Sequence, residues 1–256
     1  MKIFDVQIHE LARWDAHAWL SKPQVIFTPN PEILLEARKN KVFRKALKEG
    51  TLMLPDGHGL LLVSTLLQIQ SKFLRALLYF PALLLFLFWK APFLKVFPEV
   101  VHGCDFMAGL IKWSADHGKS VFFLGGRGQV AAETAQWFKI TFTRLKIAGF
   151  SNLDPSEKAF ELVKASKADV VLVAYGAPKQ ELWIAKYHKK LPHLMHIMGV
   201  GGSFDFWNGT VKRAPLFLQR RGLEWLWRFY MEPMKRTKRI WNATVKFPLI
   251  SLFFSD

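Results

Sequence analysis

The feature that most constrains the fold of this chain is a series of short apolar runs, each ended by a turn rich in glycine or proline. The clearest runs are residues 25–28, 121–124 and 170–173, and they lack the alternation of apolar and polar residues typical of half-exposed strands. Helical patterns separate them. Buried strands separated by helices predict a mostly parallel sheet covered on both faces, which is a doubly wound, Rossmann-like α/β fold. Weaker strands are predicted at 52–54, 146–150 and 195–199, and helices at 32–41, from Gly128 to about 143, from Asp154 as N-cap, and at 178–190.

An apolar segment at about residues 73–97 interrupts this pattern. Between Arg75 and Lys90 it carries no charged residue, and as a helix this run is roughly 21 Å long at about 1.5 Å per residue. A bilayer core is about 30 Å thick, and Pro81 and Pro92 interrupt the run. The segment therefore favours a helical insertion that dips into or lies along a membrane. A buried core helix is the alternative, although the run lacks a polar face.

The C-terminal segment 210–256 is both basic and aromatic. It has ten basic and three acidic residues, a net charge of +7, within a chain of net charge +16. Basic residues interleaved with tryptophans favour an interfacial helix on anionic lipid. A nucleic-acid-binding tail and a solvated basic surface are the alternatives. We thus predict a catalytic core at 1–209, which contains the insertion, and a helical, membrane-docking appendage at 210–256.

The candidate site lies in the turns that follow the strands, because ligands of open α/β sheets bind beyond the carboxyl ends of the strands. Glycine-rich turns that enter helices offer backbone N–H groups to phosphate. Asp56, on a Pro-Asp-Gly turn, is the carboxylate best placed to act as a general base, and an ordinary turn aspartate is the alternative. The turns contribute Thr28, Asn30, Asp56, Gly125, Gly126, Tyr175, Gly176, Pro178, Lys179, Gln180, Gly199, Gly201, Gly202, Phe204 and Asp205.

The sequence also bears on cofactors and on the cellular compartment. No Asp-x-Asp pair is available to hold a metal-bound diphosphate, so arginines or helix N-termini would have to neutralise it. The turn from Gly126 to Ala131 loosely matches a dinucleotide fingerprint, which keeps an NAD-binding oxidoreductase open as an alternative. The single cysteine, Cys104, and an N-terminus without an apolar h-region favour an intracellular protein.

Six ordered motifs in this chain resemble those of the WecG/TagA/CpsF glycosyltransferases of bacterial surface-polymer synthesis. Together they extend from about residue 25 to 235. The motifs are Thr28-Pro29-Asn30-Pro31-Glu32, Pro55-Asp56-Gly57-x-Gly59, Gly176-Ala177-Pro178-Lys179-Gln180-Glu181-x-Trp183, Gly199-Val200-Gly201-Gly202-x-Phe204-Asp205, Gly209-x-x-x-Arg213-Ala214-Pro215 and Gly222-Leu223-Glu224-Trp225-Leu226.

The resemblance implies an inverting transfer from a UDP-sugar to a polyprenyl-diphosphate-linked sugar, without a catalytic metal or a cofactor. Asp56 would deprotonate the acceptor hydroxyl, Thr28 and Asn30 would line the same pocket, and Gln180 would position a substrate. The loop from Gly199 to Asp205 would hold the nucleotide. Basic residues of the appendage would contact phosphate or acceptor, and the matching candidates are Arg213, Arg220, Arg221 and Arg228.

The resemblance further implies peripheral or monotopic association with anionic lipids at the cytoplasmic face of the bacterial inner membrane, and no nucleic-acid partner. It leaves open whether the chain forms a homo-oligomer. Residues 71–97 depart from the family as an insertion, His102 stands where a threonine is usual, and His58 where an aliphatic residue is usual. A non-enzymatic membrane or nucleic-acid adaptor is a further alternative, which separated strand-end residues would favour.

Overall fold

The computed structural model of the protein describes residues 1–10, 18–89, 91–215, 217–218 and 224–254. Within these residues a six-stranded sheet, in which all neighbouring strands are parallel, has the order β4-β3-β8-β7-β5-β6. A separate antiparallel pair, β1-β2, lies at the N-terminus. The strands are β1 (Lys2–Ile3), β2 (Val6–Gln7), β3 (Gln24–Phe27), β4 (Leu52–Met53), β5 (Ser120–Gly125), β6 (Lys146–Ser151), β7 (Val170–Ala174) and β8 (His196–Gly199).

Helices cover both faces of this sheet, as the unbroken apolar strands require. In β3 the side chains of Val25 and Phe27 join one hydrophobic cluster, and Ile26 joins the cluster on the opposite face. The predicted doubly wound α/β fold is therefore confirmed. The helices are α1 (Pro31–Lys39), α2 (Lys41–Leu47), α3 (His58–Leu67), α4 (Lys72–Phe88), α5 (Gly103–Asp116), α6 (Val130–Thr141), α7 (Glu157–Ser166), α8 (Lys179–Tyr187), α9 (Phe204–Trp207), α10 (Glu224–Met231), α11 (Pro233–Trp241) and α12 (Phe247–Phe254).

The chain leaves the neighbouring strands β3 and β8 in opposite directions. After β3 it returns through α1 and α2 to the edge strand β4. After β8 it turns toward β5, where the Phe204 ring lies 5.7 Å from the Phe123 ring and the Phe204 carbonyl accepts a hydrogen bond from Thr134 (3.2 Å). Diverging connections open a crevice at the carboxyl edge of a parallel sheet, and that is where such folds bind ligands.

One predicted helix start is wrong. The sequence favours Asp154 as the N-cap, but α7 begins at Glu157 and Ser156 is its N-cap. The Ser156 hydroxyl accepts a hydrogen bond from the N–H of Ala159 (3.2 Å) and donates one to the carbonyl of Asp154 (2.9 Å). Serine caps as well as aspartate does, and its contacts leave Asp154 in the preceding turn.

The apolar insertion forms helix α4, which packs with one side against the protein. Tyr79 and Phe86 are buried, and the Tyr79 hydroxyl donates to the carbonyl of Thr244. Arg75 donates to the carbonyls of Leu67 (3.2 Å) and Leu252 (3.4 Å), so it joins α4 to the last turns of α3 and α12. No helix within the described ranges has both the length and the hydropathy that a bilayer crossing requires.

The C-terminal helices return to the core. Phe247 and Leu252 of α12 are fully buried, and the Phe247 ring makes an edge contact of 6.2 Å with Phe4. A π-helical segment, Asn242–Lys246, joins α11 to α12. The predicted helical character of the appendage is confirmed for residues 224–254. Its separation from the core as a domain beginning at residue 210 stays a prediction.

Candidate active site

A cavity of about 450 Å³ opens at the carboxyl ends of β3, β4 and β8. The turns after these strands supply Thr28, Asn30 and Asp56 to its polar side, and the start of α8, after β7, supplies Gln180. The structure therefore brings together the four residues that sequence analysis assigns to catalysis. An adaptor whose strand-end residues are separated in space does not fit this arrangement.

Asp56 lies on a turn that the neighbouring strand connection holds in place. Its backbone N–H donates to the carbonyl of Pro29 (3.1 Å), and the carbonyl of Pro55 accepts from Val101 (3.0 Å). Gly57 has a φ of 95°, a conformation that favours glycine, and it turns the chain directly into α3. These backbone bonds hold the turn that carries Asp56 at the cavity wall.

Thr28 and Asn30 lie between the cavity and the starts of helices. A Cβ atom on Gly103, the first residue of α5, would come within 3.0 Å of the Thr28 hydroxyl. The Asn30 side-chain oxygen accepts from the N–H groups of Glu32 (3.0 Å) and Ile33 (3.1 Å) and so caps α1. Both Thr28 and Asn30 also line the cavity.

Gln180 connects the turn after β7 to the turn after β8. It is 5% exposed, and its side-chain oxygen accepts from the N–H groups of Gly176 (3.1 Å) and Gly201 (2.9 Å). Its Nε2 donates to Glu181 (2.9 Å), and a Cβ atom on Gly199 would come within 2.9 Å of that nitrogen. Gln180 thus fixes the relative positions of two turns that bound the site.

Glu181 is a buried acid that sequence analysis did not assign to the site. It is 1% exposed, and Gln180 donates to its Oε1, whereas its Oε2 is buried without a hydrogen-bond partner among the described residues. Burial raises the pKa of Glu181 to about 7, and the hydrogen bond from Gln180 opposes this shift in part.

The Glu181→Gln variant is expected to flatten the dependence of stability on pH. The pKa is about 7 in the folded protein against a reference value of 4.5, so over this window the folded state retains a proton that the unfolded state releases. Stability falls as pH rises through the window. At 1.36 kcal/mol per pKa unit, Glu181 alone contributes a loss of about 3 kcal/mol, while the lowered pKa of His196 acts in the opposite direction. Denaturant unfolding of wild type and variant from pH 4.5 to 8 isolates the Glu181 contribution as the difference between the two curves; parallel curves contradict the assignment.

The turn residues after β5 and β7 lie beside the cavity wall and not on it. Gly125 has a φ of 96° where a Cβ atom would come within 2.9 Å of the Ala174 backbone, and the Gly126 N–H donates to the Ala174 carbonyl (3.1 Å). Tyr175 and Pro178 are partly exposed, and Lys179 is exposed. Donor contacts by Gly125, Gly126, Tyr175, Gly176, Pro178 and Lys179 stay predictions.

The loop after β8 contributes most of its predicted residues to the cavity. Gly199, Gly201, Gly202 and Asp205 line it, whereas Phe204 is 1% exposed and packs in the core. Burial raises the pKa of Asp205, and the charge of Arg127 opposes the shift. The loop therefore offers backbone groups and one half-buried carboxyl to a ligand.

The predicted phosphate-binding arginines are only partly described. Arg213 donates from its NH2 nitrogen to Oδ2 of Asp105 (2.7 Å) and also pairs with the other carboxylate oxygen. This bidentate pair joins the tail to the first turn of α5, and neither of its residues lines the cavity. Arg220 and Arg221 lie outside the described residues, and so does the side chain of Arg228. Their contacts with phosphate or acceptor stay predictions.

Arg239 is a cavity residue that sequence analysis did not single out. Its Nε donates to the Glu32 carboxylate (2.6 Å), and both side chains line the cavity. The two residues are 207 positions apart, so only the folded chain brings them together. The sequence shows that the tail is basic, but it does not indicate which of the tail's arginines and lysines reaches the cavity.

Cys104 also lines the cavity, but its thiol has little reactivity there. Burial and the neighbouring Asp105 carboxylate raise the pKa of Cys104 to about 12, so its thiol stays protonated at neutral pH and is a poor nucleophile.

Within the described parts of the chain, no three His, Cys, Asp or Glu side chains form a group that could hold a metal ion.

Helices α1, α3, α5 and α8 begin at the cavity, since Pro31, His58, Gly103 and Gln180 line it and lie in their first turns. The N-terminal end of a helix carries partial positive charge and unpaired N–H groups. Convergence of such ends makes the cavity suited to an anionic ligand, and phosphate groups are the common case.

Comparison with known proteins gives one family. A sequence profile described as "Glycosyl transferase WecG/TagA/CpsF family" matches residues 1–84 and 82–254, and the two segments meet within α4. A curated relative from Bacillus spizizenii is 32% identical over 232 residues, which cover 89% of this chain and 77% of the relative. That relative is named N-acetylglucosaminyldiphosphoundecaprenol N-acetyl-beta-D-mannosaminyltransferase.

Proposed function

The chain belongs to the WecG/TagA/CpsF family of glycosyltransferases, and from this premise we propose that it transfers a sugar from a UDP-linked donor to a sugar carried on a polyprenyl diphosphate. The relative's name specifies N-acetylglucosaminyldiphosphoundecaprenol as acceptor and N-acetyl-β-D-mannosamine as the transferred sugar. We extend the acceptor class to this chain and take the same sugar as the first donor to test. The product would be an intermediate of cell-envelope polysaccharide synthesis.

The observation that carries this proposal is the convergence of Thr28, Asn30, Asp56 and Gln180 on one cavity. The Asp56 carboxylate would accept the proton of the acceptor hydroxyl while that oxygen attacks the anomeric carbon of the donor. The bond from this carbon to the UDP oxygen breaks on the opposite side, so the configuration inverts and UDP leaves with the bonding electrons. Thr28 and Asn30 would hold the sugar against Asp56.

The charge of the departing diphosphate would be neutralised by the protein itself. The converging helix starts bring partial positive charge to the cavity, and Arg239 adds a guanidinium at its wall. Glu32 holds Arg239 in position through the 2.6 Å hydrogen bond. These groups support a transfer that needs no bound metal.

A membrane surface is the proposed location of the reaction, at its cytoplasmic face, where UDP-sugars are available. The ammonium groups of Lys39 and Lys238 lower the pKa of Lys246, with Lys39 the larger cause, so three cations lie close together on the tail and α1. Exposed Trp225 and Trp241 lie on the same tail. A cation cluster with exposed aromatic side chains is suited to anionic lipid headgroups.

The proposal is tested by UDP release from UDP-N-acetylmannosamine in the presence and absence of N-acetylglucosaminyl-diphosphate-polyprenol. We expect release that depends on the acceptor, and a rate that is nearly unchanged in excess EDTA. A strong loss of rate on chelation would contradict the metal-independent part. Absence of release with a panel of UDP-sugars would contradict the donor class.

An NAD-dependent oxidoreductase is the less supported alternative. The loose dinucleotide-binding motif that favours it contains Gly126 and Gly128. These residues follow β5 and do not line the cavity. Saturable binding of NAD without binding of UDP would favour it over glycosyl transfer.

A further inference from the structure

Helix α4 presents an apolar stripe to the cavity. Tyr79, Leu83 and Phe86 line it, and their spacing places them on one side of the helix. Leu62 of α3 and Pro248 of α12 continue this apolar wall. The cavity is therefore polar where the strands end and apolar along α4, so a ligand that fills it carries both kinds of group.

The opposite side of α4 is as apolar as the side facing the cavity. Phe73, Leu77, Phe80, Leu84 and Phe88 form a continuous stripe, and each is at least 60% exposed. A soluble surface rarely carries an exposed apolar stripe of this size without a partner. The elements that carry Lys39 and Lys246, α1 and the segment Asn242–Lys246, both contact α12, which also packs against α4. Charge and apolar surface together favour a bilayer as the partner of this stripe.

His58 marks the boundary between the two halves of the cavity. Its ring lies 6.3 Å from that of Phe86 on the apolar side and 5.9 Å from that of His102 on the polar side. Asp56 lies two residues before His58, on the turn that begins α3. A ligand that crosses this boundary would place its polar head at Asp56 and its apolar part along α4.

We propose that the cavity side of α4, at Tyr79, Leu83 and Phe86, is a binding site for the proximal isoprene units of the acceptor's lipid chain. The inference rests on the proposed function and specifies how its acceptor enters. The diphosphate lies at the helix starts, the chain follows the apolar wall, and its remainder stays in the bilayer that the outer stripe of α4 contacts. The insertion is thus part of the acceptor site as well as a membrane contact.

The test compares two acceptors with the same N-acetylglucosaminyl diphosphate head, one esterified with a polyprenyl chain and one with a methyl group, both in detergent solution. We expect Leu83→Asn to lower kcat/KM at least about tenfold for the polyprenyl acceptor, because losing one methylene from an apolar pocket already has an effect of this order. The value for the methyl acceptor should not change. Leu83→Ala should act in the same direction without adding a polar group, which guards against misfolding of the first variant.

The control is Ile140→Asn, which also replaces an exposed apolar residue by asparagine but lies on α6, outside the cavity and the outer stripe of α4. It should leave kcat/KM for both acceptors unchanged in detergent. Equal losses for both acceptors in the Leu83 variants, or no loss for either, would overturn the lipid-chain site while leaving glycosyl transfer intact. If the wild type transfers to neither acceptor, the proposed function fails, and the lipid-chain site with it.

Discussion

The Asp56→Asn variant is expected to lower kcat by about 10²-fold or more, because the transfer then lacks the group that accepts the hydroxyl proton. The substitution preserves size, and the turn is held by backbone bonds to Pro29 and Val101. The melting temperature should therefore stay close to that of the wild type. Steady-state UDP release, with thermal unfolding measured on the same preparation, checks both expectations.

Asp116→Asn provides a matched control for this variant. Asp116 is an exposed aspartate at the end of α5 that pairs with Lys112 (2.6 Å). An exposed pair of this kind contributes little to stability, so turnover and melting temperature should both be unchanged. Near-normal turnover in Asp56→Asn would remove Asp56 as the base, and the reaction would then need another proton acceptor in the cavity.

The Gln180→Leu variant is expected to lower kcat/KM by roughly 10²-fold, since small misplacements of groups around a reaction centre have effects of this order. Leucine fills similar space but accepts no hydrogen bond, so the N–H groups of Gly176 and Gly201 lose their shared partner. Each buried group left unpaired costs about 1–3 kcal/mol. We therefore expect a lower melting temperature together with a loss of activity.

Gln136→Leu is the control for this substitution, because Gln136 is exposed on α6. It should change neither kinetics nor unfolding. Measurements are made well below the melting temperature of the variant, so that the fraction of folded protein is the same in all samples. Unchanged kcat/KM in Gln180→Leu would show that the two turns hold their positions without this amide.

The strand-end residues of the site could be predicted from sequence because of a simple geometric property. Carboxyl ends of parallel strands lie at one edge of the sheet, so the residues that follow them approach one another whatever the strand order. Thr28 and Asp56 illustrate this, and both line the cavity. The strand order itself was not predicted. The pairing of Val25 with Ile197 and of Val121 with Val170 decides it, and local sequence patterns do not specify such partners.

Contacts between distant segments account for what sequence analysis missed. Arg239 reaches the site through its pairing with Glu32. Gln180 was predicted as a site residue, but its hydrogen bonds to two turns that follow different strands were not. The inner and outer sides of α4 could not be distinguished from sequence, since both are apolar. Only packing against α3 and α12 leaves Tyr79 buried and Phe80 exposed.

The most direct test of the central claim follows the sugar itself. Purified protein is incubated with UDP-N-acetylmannosamine labelled in the sugar and with the polyprenyl-diphosphate acceptor in detergent, and the organic phase is then counted. We expect the label to enter the lipid fraction in a one-to-one ratio with released UDP, in the presence of EDTA and with an intact Asp56. Release of UDP with the label remaining as free sugar in water, or transfer at an equal rate by Asp56→Asn, would contradict glycosyl transfer at this cavity.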